Sequence, residues 1–172
     1  MSTAEKDKTN QYLTFLLSDE LYALEVSKVK EVLEFQNITR VPKTPEFMRG
    51  VINVRGGIVP VIDLRLKFNL PVKEQTVDTC IIVMDISLND EKITVGMIAD
   101  SVLEVIEILS EEIDPTPKIG TKLDTDFIEG IGKRGDRFVI ILQIDKVLTA
   151  EEISTMTEES ETVSAAVEEE DS

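Results

Sequence analysis

The chain has 172 residues, 42% hydrophobic and 30% charged, a balance that supports one ordinary globular domain or two small units sharing a core. Its net charge is −16, with no basic stripe to offset repulsion from phosphate, so nucleic acid and anionic membrane surfaces are excluded as partners. It has no histidine and one cysteine, Cys80, which removes the Ser-His-Asp triad, the commonest metal ligand, a histidine phospho-acceptor and any intrachain disulfide.

Residues 1–10 lack the apolar core of a signal peptide and read as a flexible N-terminus. No run approaches the roughly 18 apolar residues that span a bilayer, so a cytoplasmic protein without direct membrane insertion is expected. Short apolar runs follow at 12–17, 21–26, 51–54, 58–62, 80–86, 93–98 and 138–144, separated by turn residues. They have the length and branched composition of strands and predict an all-β fold.

Helical candidates are few: a turn over 26–33, a short helix over 64–68, and a C-terminal helix from Asp145. In the last, Ile144, Val147 and Leu148 fall at i, i+3, i+4, and Thr149-x-x-Glu152 fits a capping box. Residues 151–172 hold nine acids and no base, leaving −7 on the preceding 150 residues, and disorder is expected beyond about Thr157.

Three motifs invite a chemical reading. Arg55-Gly56-Gly57 lacks the repetition of an RNA-binding tract and the lysine and helix of a phosphate loop. A hairpin fits better, with Gly56-Gly57 as its two-residue turn, and Pro60 then predicts an edge strand or a bulge. "GIGKRG" at 130–135 satisfies G-x-G-x-x-G but runs into a strand, with Gly135-Asp136 as a hairpin turn, so dinucleotide binding is rejected. Asp63, Asp85, Asp100 and Glu104 are available carboxylates without the spacing of a hydrolytic pair, and Asp124-Thr125-Asp126 lacks the rest of a calcium loop. No metal site or cofactor is expected, and Cys80 in its apolar run reads as a buried thiol.

An internal repeat is the stronger signal. Residues 21–33 align with 93–106, so that Val29, Glu31 and Val32 fall on Val102, Glu104 and Val105 at an offset of 73. Arg55-Gly56 and Asp63 fall on Arg134-Gly135 and Asp145 at a looser spacing, 79 for the Arg-Gly pair. The chain therefore reads as two related β units divided near 71–78, each too small to fold well alone and so sharing a core.

These residues resemble the chemotaxis coupling proteins of the CheW family. The match runs through "YLTFLLSDELYALEVSKVKEVLE" (12–34), "ITRVPKTPEFMRGVINVRGGIVPVIDLRLKFNL" (38–70), "VGMIADSVLEVIEI" (95–108) and "FIEGIGKRGDRFVIILQIDKVL" (127–148). It covers essentially 11–150 and is most specific from Thr44-Pro45 to Asp63-Leu64. Val54 stands where the family commonly has leucine.

The resemblance implies two five-stranded SH3-like β-barrel subdomains, about 11–75 and 76–150, sharing a core, followed by a C-terminal helix end and acidic tail at 151–172. It implies a non-enzymatic adaptor, cytoplasmic and recruited to membrane-associated receptor arrays. The expected partners are the cytoplasmic tips of methyl-accepting chemoreceptors and the regulatory domain of the histidine kinase CheA. No receiver domain follows Ser172, so the fused coupling protein CheV is not expected.

Carried over by position, receptor contact falls on Val29, Glu31, Val32, Gly50, Asn53, Arg55, Gly56, Val102 and Val105, with Glu31 as ionic partner of Arg55. Kinase contact falls on the loop carrying Pro115, Pro117 and Ile119. The competing readings are a small-ligand sensor using the groove between barrels and a carboxylate-dependent enzyme on a β-barrel scaffold.

Overall fold

The structure, a computed structural model, describes residues 9–88, 90–114, 127–149 and 151–152. Among these residues the strands are β1 (Thr9–Leu17), β2 (Glu20–Glu25), β3 (Val29–Glu34), β4 (Met48–Val54), β5 (Gly57–Ile62), β6 (Cys80–Leu88), β7 (Glu91–Ala99), β8 (Ser101–Leu109), β9 (Ile128–Arg134) and β10 (Arg137–Leu142). One short helix, α1 (Leu64–Lys67), follows β5, and 3-10 turns occupy Val26–Lys28, Ser110–Glu112 and Ile144–Lys146.

The strands form two five-stranded sheets, ordered β8-β1-β2-β10-β9 in sheet I and β3-β6-β7-β5-β4 in sheet II. Each has the same plan: hairpins β1-β2 and β9-β10, or β6-β7 and β4-β5, joined by one parallel contact, β2 with β10 or β7 with β5. The chain leaving the outer strand then turns back to the opposite edge. Thr39 N donates to Val51 O at 2.9 Å and Val51 N to Thr39 O at 2.8 Å; Asp114 N donates to Ile131 O at 3.0 Å and Ile131 N to Asp114 O at 2.9 Å. These paired bonds close each sheet into the SH3-like barrel unit expected from the sequence.

The repeat is real, but the barrels do not follow it. β3, β4 and β5 correspond to β8, β9 and β10, and β1-β2 to β6-β7. Each barrel combines a hairpin from one half of the chain with three strands from the other. The expected subdomains 11–75 and 76–150 are repeats in sequence that have exchanged their hairpins in space. The physical consequence is interdependence: cutting near residue 75 would leave neither barrel complete.

Burial explains which strands carry a continuous apolar run. Along β2, Leu21 and Ala23 pack inside sheet I while Tyr22 and Leu24 face the core shared by both sheets; along β6, Ile81 and Val83 pack inside sheet II while Ile82 and Met84 face that shared core. Strands buried on both faces read as continuous apolar runs. β3, β8 and β9 bury residues more sparsely and carry charged side chains between them, so no continuous apolar run marks them. The helical turn expected over 26–33 is a 3-10 turn only at Val26–Lys28 and strand beyond it.

Two local expectations need correction. The hairpin turn is Arg55-Gly56, with φ of 50° and 84°, and Gly57 already pairs with Val54. Pro60 lies in β5, an interior strand, where pairing with β7 begins only at Val61, so no ladder hydrogen bond to β7 is lost at the proline. At the C-terminus the capping box forms: Glu152 N donates to Thr149 Oγ1 at 3.1 Å and Thr149 N to Glu152 Oε1 at 2.8 Å. The remainder of that helix, the acidic tail and Asp124-Thr125-Asp126 lie outside the described residues.

Candidate functional site

The repeated V-x-E-V block encodes a bulge in each barrel. On β3, Val29 pairs with Met84 and Glu31 with the next residue, Val83, leaving Lys30 extra; on β8, Val102 pairs with Phe15 and Val105 with Leu13, skipping Thr14. In sheet I the irregularity is satisfied by Thr14, whose buried hydroxyl donates to Glu104 O at 2.7 Å and accepts from Glu104 N at 3.1 Å. The bulge directs Val29 and Val102 against the shared core, half-buried, while Val32 and Val105 stay 42% and 51% exposed.

The four valines stand on different sheets. β3 bonds to β6 in sheet II and β8 to β1 in sheet I, so each pair belongs to its own barrel. What links them is the core between the sheets, which Val29 and Val102 both touch.

The acidic residue of each block reaches an arginine of the following hairpin. Arg55 clasps Glu31 with two nitrogens: Nη2 donates to Oε1 at 3.1 Å and Nη1 to Oε2. Glu104 forms the corresponding ion pair with Arg134 across sheet I, between Oε1 and Nη2. The first pair follows the expectation; the second was missed, although the offsets of 73 and 79 already aligned both its members with Glu31 and Arg55. Arg55 is 77% exposed at its side chain and Glu31 22%, so the guanidinium presents its free edge to solvent.

Asn53 and the glycines hold this geometry. Asn53 Oδ1 accepts from Gly56 N at 3.1 Å across the turn, and both Asn53 and Gly56 are exposed. Gly50 is buried at φ +146°, and a Cβ there would lie 2.1 Å from Thr39 O, inside the barrel-closing bridge. Gly130 is its counterpart, where a Cβ would meet Asp114 O at 2.7 Å. Beside the ion pair lies an open depression of about 510 Å³ lined by Val54, Ile58, Val59 and Val83 and rimmed by Lys30, Glu31 and Arg55.

The other candidate carboxylates are engaged in ion pairs. Buried Asp63 caps α1, accepting from Arg65 N at 3.0 Å, and its two oxygens accept from Arg65 Nε at 2.9 Å and Nη2 at 2.8 Å. Arg65 Nη1 donates to Asp100 at 2.6 Å, and Asp100 accepts from Ser18 N at 2.6 Å, so this cluster ties sheet II to the β1-β2 turn of sheet I. Its hydrogen bond to Asp63 pushes the Arg65 pKa up despite burial. Asp85 lies 3.6 Å from Lys30 and accepts from Thr94 Oγ1 at 2.8 Å. Among the described residues no group of three or more His, Cys, Asp or Glu side chains could hold a metal ion.

Against this geometry, comparison with known proteins is decisive. The family model described as a CheW-like domain matches residues 11–152. The chain belongs to the CheW-like family.

It is 39% identical over 150 residues to the chemotaxis protein CheW of Bacillus subtilis, covering 87% of this chain and 93% of that one. To CheW of Klebsiella aerogenes it is 37% identical over 144 residues, 84% of each. Among solved structures it is similar to the scaffolding protein TtCheW of Thermoanaerobacter tengcongensis, with a TM-score of 0.75 at 37% identity, covering 84% of this chain and 91% of that one. As a CheW-like protein the chain is a chemotaxis scaffold and not an enzyme. Pro115, Pro117 and Ile119 lie outside the described residues, and among those described no helix is long and apolar enough to cross a membrane.

Proposed function

We propose that this chain couples the cytoplasmic tips of methyl-accepting chemoreceptors to the regulatory domain of the histidine kinase CheA, in the cytoplasm at membrane-associated receptor arrays. The observation that carries the reading is the Glu31–Arg55 clasp at the rim of an apolar depression, with exposed Val32 on the same strand. A receptor tip is a helical hairpin, and an amphipathic helix docks by laying apolar side chains into such a depression while charged groups at the rim set its register. Val32, Arg55, Asn53 and Gly56 are the exposed contacts; Glu31 orients Arg55, while Val29 and Gly50 support the surface from beneath.

Val102 and Val105 offer a related surface on the other barrel, and the segment carrying Pro115, Pro117 and Ile119 is assigned to the kinase. Burying a few such apolar side chains at about 1.5–3 kcal/mol each suits micromolar affinity, about −8 kcal/mol, reinforced by multivalency in an array. Co-sedimentation with a receptor cytoplasmic fragment and CheA tests the reading. A ternary complex is expected, and failure to bind either protein would overturn it.

A further inference from the structure

Lys30 is the residue that the bulge of β3 leaves without a partner on β6, since Val29 pairs with Met84 and Glu31 with Val83. A bulge re-aims the side chain of its extra residue. Here Lys30 Nζ donates to Thr94 Oγ1 at 3.4 Å and lies 3.6 Å from Asp85 Oδ1, which also accepts from Thr94 Oγ1 at 2.8 Å. The ammonium is thereby held at the rim of the apolar depression whose lining also includes Arg55. Exposure sorts the charges at that rim. Lys30 is 51% exposed at its side chain against 28% for Asp85, and Arg55 is likewise the more exposed member of its pair with Glu31. A docking partner therefore meets two cations first, on a chain whose net charge is −16.

The related surface of sheet I differs at this position. Within the repeated block Val29, Glu31 and Val32 recur as Val102, Glu104 and Val105, but Lys30 is replaced by Leu103, which is 48% exposed. Glu104 and Arg134 are exposed there to nearly the same extent, so neither sign dominates. We propose that Lys30 is a specificity-determining residue for the receptor-coupling role, on which this assignment rests: it makes sheet II select an amphipathic helix whose apolar stripe is bordered by acidic side chains. Such a helix lays its stripe over Val54, Ile58 and Val59 and sets its acids against Lys30 and Arg55. On sheet I an acid placed at the corresponding point meets Leu103 and loses its hydration without gaining a partner, which disfavours that surface.

Calorimetric titration of the full chain and of Lys30→Arg, Lys30→Leu and Lys30→Glu with a receptor cytoplasmic fragment tests this. The titrations use 0.1 M and 0.5 M sodium chloride, where the Debye length is about 10 Å and roughly 4 Å. At the lower salt Lys30→Arg should bind within about twofold of the parent, Lys30→Leu about fivefold more weakly and Lys30→Glu about tenfold or more. At the higher salt the series should close to within about twofold. Lys30→Leu copies sheet I and adds apolar surface, so a site that reads only hydrophobicity would bind it more tightly. Lys30 is exposed and its ion pair with Asp85 is long, so thermal melts of all three variants should coincide with the parent's. Binding of Lys30→Leu as tight as the parent's, or losses that persist undiminished in 0.5 M salt, would overturn the role of Lys30 while leaving receptor coupling intact. A parent chain that binds no receptor fragment would overturn receptor coupling and the role of Lys30 with it.

Discussion

Glu31 and Arg55 meet across the end of sheet II, 24 residues apart in sequence, with both carboxylate oxygens on one guanidinium. The two-point contact fixes the plane of an arginine that is otherwise 77% exposed, which is how a single surface cation acquires a defined orientation. Arg55→Asp is expected to destabilise the fold by less than about 1 kcal/mol, as for other exposed pairs, yet weaken receptor-fragment binding at least tenfold. Adding Glu31→Arg should restore part of the binding. Calorimetry on the four members of the cycle measures the coupling, and strict additivity would mean that the pair does not act as a unit.

Gly50 separates a conformational need from a steric one. Gly50→Ala places a methyl 2.1 Å from Thr39 O at φ +146°, whereas Gly56→Ala at φ +84° meets nothing within 4 Å. Gly50→Ala should cost about 3 kcal/mol or more, and Gly56→Ala about 1 kcal/mol of backbone strain. Thermal melts of the two variants give the comparison, and equal losses would show that closure of the barrel at Thr39 and Val51 contributes nothing.

Val29 and Val32 are two residues of one motif with different roles. Val29→Asp puts a carboxylate beside the shared core and should destabilise the protein by about 2–3 kcal/mol, so lost binding in that variant would be ambiguous. Val32→Asp alters a 42% exposed side chain, and its urea midpoint should stay within about 0.5 kcal/mol of the parent while receptor binding falls. An unchanged affinity for Val32→Asp would remove β3 from the receptor surface.

Arg65 neutralises two carboxylates from different parts of the chain, Asp63 fully buried and Asp100 13% exposed at its side chain. Arg65→Met is expected to cost about 3–5 kcal/mol, because it strands buried charge. Urea unfolding of the variant at neutral pH measures this, and a loss below about 1 kcal/mol would mean that Arg49, 3.2 Å from Asp63, compensates unaided.

Cys80 is 8% exposed and burial pushes its thiol up to about 11. At pH 7.5 fewer than about one molecule in a thousand then carries the reactive thiolate. Alkylation of the native protein should be slow and rise steeply on unfolding in urea; rapid native labelling would show that β6 opens locally.

Much of this protein is determined by sequence alone. Residues such as Leu21 to Leu24 and Ile81 to Met84 are apolar at successive positions because both faces of their strands are buried, and that demand survives as an uninterrupted apolar run. Turn chemistry at Gly135-Asp136, the capping box at Thr149 and the twofold repeat were legible for the same local reason, whereas the first hairpin turns at Arg55-Gly56, one residue before the Gly56-Gly57 pair that its glycines suggest. Strands β3, β8 and β9 were not, because their sparser burial and bulges break the period that a reader searches for. Tertiary structure decided the rest: hairpin β1-β2 pairs with β8 and β10, and β6-β7 with β3 and β5. Strand pairing is set by hydrogen bonds between distant segments whose apolar faces are nearly interchangeable, so no local pattern distinguishes a hairpin kept within its own repeat from one exchanged with the other.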